Sequence, residues 1–200
     1  MSVTSRTAIA AASIFLIAAP AAAQDVKPAQ SATPQAAPSD PFAAIPAARP
    51  ADVASVDSIV TALYDVISGD KGVDRNWDRF RSLFYPGARM IPTGKAKTGK
   101  VNARIASPDS YIEGNESFLE SEGFHEQEIT RTVDSFGNIA HVFSAYEGRH
   151  ALADEKPFVR GINSIQLFND GKRWWVLSVA WSPETIDHPL PKQYSEKPGR

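Results

Sequence analysis

The hydrophobic period of this chain changes once, and that change limits its fold more than any other feature. Val53, Val56, Val60, Leu63 and Ile67 recur at helical spacing, with Gly69 beyond them as a stop. Asp74 is placed to cap a second helix carrying Trp77, Phe80 and Phe84 on one stripe, ended by Pro86-Gly87. Ala88 to Ile91 reads as a short strand. Ser107-Pro108-Asp109 then supplies an N-cap, a proline at the first helical position and an acid beside the helix dipole. The helix it opens carries Tyr111, Ile112, Phe118 and Leu119 and ends near Gly123. From there the period is two. Phe124 to Ser135, Ile139 to His150, Phe158 to Phe168 and Trp174 to Ser182 read as four long strands. Gly137-Asn138 joins the first pair, and Asn169-Asp170-Gly171 joins the last as a tight hairpin turn. Helices followed by an antiparallel meander predict an α+β domain, its three N-terminal helices packed on one face of the sheet. A long sheet bent around helices leaves a concave pocket.

The two ends of the chain read differently. Met1 to Ala23 has the make-up of a secretory signal: Arg6, an apolar run from Ala8 to Ala19, Pro20, and Ala21-Ala22-Ala23 before Gln24. The apolar run is too short to span a bilayer as a helix. The expected product is secreted or periplasmic, starts at Gln24 and has no stable membrane insertion. Residues 24–50 hold six prolines and eight alanines, so they are expected to be a linker with nothing to pack. The expected domain is 51–188, followed by a flexible proline-rich tail over 189–200. The chain has no cysteine, which excludes disulfides, thiolate catalysis and cysteine zinc sites. A formal net charge of -2 gives no electrostatic footprint for nucleic acid.

Three motif matches fail on inspection. Gly94 to Lys100 fits G-x-x-x-x-G-K, but Val101 stands where a phosphate loop needs Ser or Thr, and no helix follows at once. A solvated basic loop remains, with Lys95, Lys97, Lys100 and Arg104 able to attract an anion at a pocket mouth. His125-Glu126 opens like a zinc-protease motif, but Ile129 replaces the second histidine. The four histidines have no metal-ligand spacing, so neither metal nor cofactor is expected. Asn115-Glu116-Ser117 matches a glycosylation acceptor, which carries little weight beside a bacterial-looking signal.

The closing stretch is the most telling: Arg160-Gly161-Ile162-Asn163-Ser164-Ile165-Gln166-Leu167-Phe168, a glycine turn, then Arg173-Trp174-Trp175-Val176-Leu177-Ser178-Val179-Ala180-Trp181. With Phe143-Ser144-Ala145-Tyr146-Glu147 and the element order, it resembles the nuclear transport factor 2-like superfamily, over about Ala51 to Ser182. That superfamily includes SnoaL-like polyketide cyclases, ketosteroid isomerase and scytalone dehydratase. The resemblance implies a cone-shaped, cystatin-like roll, and it supports fold far better than activity. Ketosteroid isomerases carry a carboxylate base at the end of the short strand. Ile91, before Pro92, stands there, and Ser164 stands at the oxyanion acid's position, so that chemistry is not expected.

The resemblance also implies that the face of the second long strand bearing His141, Phe143 and Glu147 is the concave one. Ser164, Gln166 and Trp181 would join it from the next strands, with Tyr64 and Phe84 from the helical half. His141 is the candidate catalytic base, or else a hydrogen-bonded core histidine. Glu147 lies six residues along, roughly 20 Å away, and cannot touch it. His125 beside Glu126 carries the same two readings. The expected role is binding of a small, largely apolar molecule. The alternatives are a SnoaL-like lyase, isomerase or cyclase working by acid–base chemistry, and a structural module that forms a homodimer through its sheet.

Overall fold

The computed structural model describes residues 40–96 and 98–195. The expected signal segment, the linker up to residue 39, Lys97 and the last five residues lie outside the described residues.

The first helical stripe is split in two. α1 (Pro50–Val53) stops because Ser55 caps α2 (Val56–Ile67). The Ser58 amide donates to Ser55 Oγ at 3.0 Å and the Ser55 amide donates to Ser58 Oγ at 2.8 Å, a reciprocal capping box. α2 buries Ile59, Val60, Leu63, Tyr64 and Val66. Asn76, not Asp74, caps the short α3 (Trp77–Arg81). Arg79 of α3 ties the first three helices together through ion pairs with Asp52, at 2.7 Å, and with Asp65. α4 (Pro108–Glu122) has its N-cap at Ser107 and its end at Gly123, as the sequence predicts.

A buried arginine locks the helices to one another. The Arg75 guanidinium donates to the carbonyls of Ile67 at 3.0 Å, Gly69 at 2.7 Å and Leu119 at 2.9 Å. These are carbonyls at the ends of α2 and α4 that have no helical partner. Gly69 is required for this: a Cβ there would lie 2.7 Å from the guanidinium.

The sheet has six strands in the order β2-β1-β6-β5-β4-β3. β3 (His125–Phe136), β4 (Ile139–Arg149), β5 (Val159–Asn169) and β6 (Trp174–Pro183) form the expected antiparallel meander, within a residue or two of the expected bounds. β1 (Phe84–Lys95) is far longer than the expected four residues and runs parallel to β6. Its last three residues pair with β2 (Val101–Ala103), and the Ala96 amide donates to the Lys100 carbonyl at 2.9 Å to close this small hairpin. Pro86-Gly87 does not end a helix. It lies within β1, where the register against β6 shifts between Phe84 and Arg89, as a residue without an N–H demands.

Two further shifts decide which side chains face the helices. Ile129 is an extra residue in β3, between the pairs Glu128–Tyr146 and Thr130–Ala145. Leu177 is the extra residue in β6. The inner face of β4 carries Ala140, Val142, Ser144 and Tyr146, all at most 4% exposed. With Ile59, Val60, Phe80, Leu83, Ile165, Leu167 and Val176, the first two and Tyr146 form the core.

Both expected boundaries of the domain shift. Phe42 packs edge-on against Tyr85 and Trp175, with centroids 5.3 and 5.7 Å apart, and Ala48 lies against the core. The folded unit therefore already includes the last ten or so residues assigned to the linker. At the other end α5 (Lys192–Ser195) is docked, not free. Tyr194 is buried with Ile129 and Ala145 on the outer face of the sheet, and Arg160 donates to the Ser195 carbonyl at 2.7 Å.

Candidate functional site

Between the inner face of the sheet and α2, α3 and α4 lies a cavity of about 220 Å³. α2 contributes Leu63, Tyr64 and Ile67, α3 contributes Phe80, and β1 contributes Met90. α4 supplies Tyr111, Asn115, Phe118 and Leu119, and the sheet adds Glu126, Tyr146, Asn163, Ile165, Val179 and Trp181. The wall is thus mostly aromatic and aliphatic, with a few polar groups.

Three of those polar groups, Glu126, Asn163 and Tyr64, begin a hydrogen-bonded chain that continues behind the wall. The Asn163 side-chain amide donates to Glu126 Oε1 at 3.1 Å and to the Tyr64 hydroxyl at 3.2 Å. The Tyr64 hydroxyl lies 2.7 Å from Ser144 Oγ. Ser144 donates its only proton to the Glu128 carboxylate, so Tyr64 must donate to Ser144. Arg131 closes the chain, 3.1 Å from Glu128 and 2.8 Å from Asp57. Glu128 is therefore neutralised, and Glu126 is not. Asn163 gives Glu126 Oε1 its partner, whereas Glu126 Oε2 has none among the described residues.

Burial pushes the Glu126 carboxyl up to about 7, and the Asn163 hydrogen bond opposes this only in part. The hydroxyls of Tyr64, Tyr111 and Tyr146 are all raised, first by burial and then by the charge of Glu126. Tyr146 has its place because its cross-strand neighbour is Gly161: a Cβ there would sit 2.6 Å from the Tyr146 hydroxyl.

Only part of the site expected from sequence is here. Tyr64 and Trp181 line the cavity. Phe84 is buried in the core against Phe80, centroids 4.7 Å apart, and does not reach the cavity. His141, Phe143, Glu147, Ser164 and Gln166 lie on the outer face, away from α2, α3 and α4, because strand parity is the reverse of that expected. There His141 is 3.0 Å from Ser164, Phe143 packs on Tyr194, and Glu147 pairs with Arg149 at 2.9 Å. His125 is engaged by Asp70 at 2.8 Å. The side chain that β1 turns into the cavity is Met90, not Ile91, and it too can take no proton. The cavity's described lining includes no residue of the basic loop.

Glu126 was missed, although its signal is visible. Glu126 and Glu128 alternate at the start of a strand whose other face carries His125 and Gln127. With polar residues on both faces, period two alone does not say which pair turns inward.

An α+β sheet that holds helices and an apolar cavity on one face defines a class of pocket-bearing folds. No family model matches the sequence, and no curated protein matches it. Solved structures match. A protein of unknown function with a cystatin-like fold from Nostoc punctiforme is 7% identical, with a TM-score of 0.50 over 66% of this chain and 90% of its own. An NTF2-like protein of unknown function from Pseudomonas putida KT2440 is 13% identical, with a TM-score of 0.50 over 72% of this chain and 94% of its own. A protein of unknown function from Mycobacterium tuberculosis is 10% identical, with a TM-score of 0.50 over 70% and 78%. The chain has the nuclear transport factor 2-like, or cystatin-like, fold.

Proposed function

We propose that this is an exported protein whose cavity binds a small, largely apolar molecule. The observation that carries the reading is the cavity itself: about 220 Å³, walled by aromatic and aliphatic side chains around a few convergent polar groups. An apolar cavity of about 150 Å³ already admits benzene, so a molecule of one or two rings is the right scale. Export rests on the composition of residues 1–23 alone. Native mass spectrometry of protein purified from its own cell tests both parts. The expected result is a mature chain starting at Gln24 with a retained small molecule. A chain keeping Met1 to Ala23 defeats export. A chain free of ligand, whose tryptophan fluorescence no apolar compound perturbs, defeats binding.

Acid–base catalysis is the second reading, and Glu126 favours it. A carboxyl that titrates near neutrality inside a cavity is suited to take a proton from a bound molecule and return it to another atom. In that case Glu126 takes the role first assigned to His141.

A further inference from the structure

The cavity is charged on one side only. Glu126 is its one carboxyl, and no lysine, arginine or histidine lines it among the described residues. Seven aromatic rings line the same cavity: Tyr64, Phe80, Tyr111, Phe118, Phe124, Tyr146 and Trp181. The ionisable groups packed around Glu126 from other elements are tyrosines, Tyr64 from α2, Tyr111 from α4 and Tyr146 from β4. Glu128, further along β3, is already paired with Arg131. Glu126 Oε2 is the carboxyl atom left for a ligand.

Each of these facts selects among ligands. An anion entering the cavity would meet a carboxyl and no counter-charge. A neutral hydrocarbon would leave Oε2 unpartnered. An alkyl- or arylammonium ion would give Oε2 a donor and would lie against ring faces, where cations are attracted. We infer that the ligand is a small apolar amine, bound as its ammonium ion between Glu126 and the aromatic wall. This rests on the binding reading above and names its ligand class.

The proton balance is explicit. The ammonium ion binds the ionised carboxylate, so a protonated Glu126 must release one proton to solvent when the ligand enters. With Glu126 titrating at about 7, the competent fraction rises from roughly 10% at about pH 6 to roughly 90% at about pH 8. Apparent affinity should tighten about tenfold over that interval, because the apparent Kd scales inversely with that fraction.

The test is calorimetric titration with three probes of one shape: 2-phenylethylamine, 2-phenylethanol and phenylacetate. The amine should bind at least about tenfold more tightly than the alcohol, and the acid should not bind. Amine binding should tighten with pH and release protons near pH 6, as the buffer dependence of the heat reports. Glu126→Gln should bring the amine down to the alcohol's affinity and abolish its pH dependence. A cooperative unfolding transition in that variant shows that the fold is kept, and a second variant, Asn163→Ala, which removes the hydrogen bond favouring the ionised carboxylate, should move the pH dependence of amine binding to higher pH. Alcohol bound as tightly as amine, or an amine affinity indifferent to Glu126→Gln, overturns the ammonium inference and leaves the binding reading standing. Failure of all three probes overturns both.

Discussion

One carboxyl, Glu126, sets the chemistry of the interior, and it also makes stability depend on pH. Its value is 4.5 in the unfolded chain and about 7 in the folded one. The folded state therefore binds the proton more tightly. The stability linked to that proton is present in full below about pH 4.5, and it is lost as pH rises through about 7. A shift of this size corresponds to about 2–3 kcal/mol once water reaching the cavity is allowed for. Urea denaturation of the natural chain and of Glu126→Gln, at pH 5 and at pH 8, should differ by that amount. Parallel stability curves for the two proteins would show that Glu126 keeps an ordinary carboxyl's titration. At this scale the sequence was legible only in part. Tyr64 and Trp181 were found because a helix stripe and a final strand leave few choices. His141, Phe143, Glu147, Ser164 and Gln166 were placed one residue out of phase, and in a strand one residue means the opposite face.

Elements were legible where local chemistry fixes them. Ser107-Pro108 starts α4, Asn169-Asp170-Gly171 turns β5 into β6, and alternation marks the four long strands. Bulges and pairings to distant partners leave no such local mark. The parallel pairing of β1 with β6 joins segments about 90 residues apart. The bulge at Ile129 follows no turn residue at all. It lets Glu126 and Glu128 face inward while Thr130 and Thr132, beyond it, face outward with Ala145, Phe143 and Tyr194. Deleting Ile129 should force half of β3 onto the wrong face and cost more than about 3 kcal/mol. Ile129→Ala keeps the bulge, and because the outer cluster is small it should cost about 2 kcal/mol, the low end for such a truncation. Chemical denaturation of both variants checks this. If the deletion costs no more than the substitution, the bulge does not control which residues face the cavity.

For the whole molecule, the outer face of the sheet decides how it meets other proteins. A single sheet with helices on one side leaves its other face to be covered or to be polar. This chain does both. Phe42 covers one end, against Tyr85 and Trp175, and the opposite end is covered by Tyr194 and Leu190, against Phe143 and Ile162. Along β5, Ser164 and Gln166 form the polar strip between Ile162 and Phe168. A homodimer through the sheet, one of the alternatives the sequence allows, would have that strip and the exposed Phe136 and Ile139 beside it in which to form unless a cover lifts. The C-terminal cover is held by Tyr194 packing 5.5 Å from Phe143, by its hydroxyl 3.1 Å from Thr132, and by Arg160 on the Ser195 carbonyl. A chain ending at Pro191 should therefore expose Ile129, Ala145, Phe143 and Ile162 together and lose about 2–3 kcal/mol of stability. It should also self-associate at concentrations where the full chain does not, because contiguous apolar surface is rarely left to water. Sedimentation velocity of both chains at matched concentrations, with denaturant unfolding of each, makes the comparison. Tyr194→Ala should reproduce most of the stability loss with less association, since Arg160 still holds the rest of α5 through the Ser195 carbonyl. A truncated chain that is as stable and as monodisperse as the full one would show that α5 only rests on the sheet.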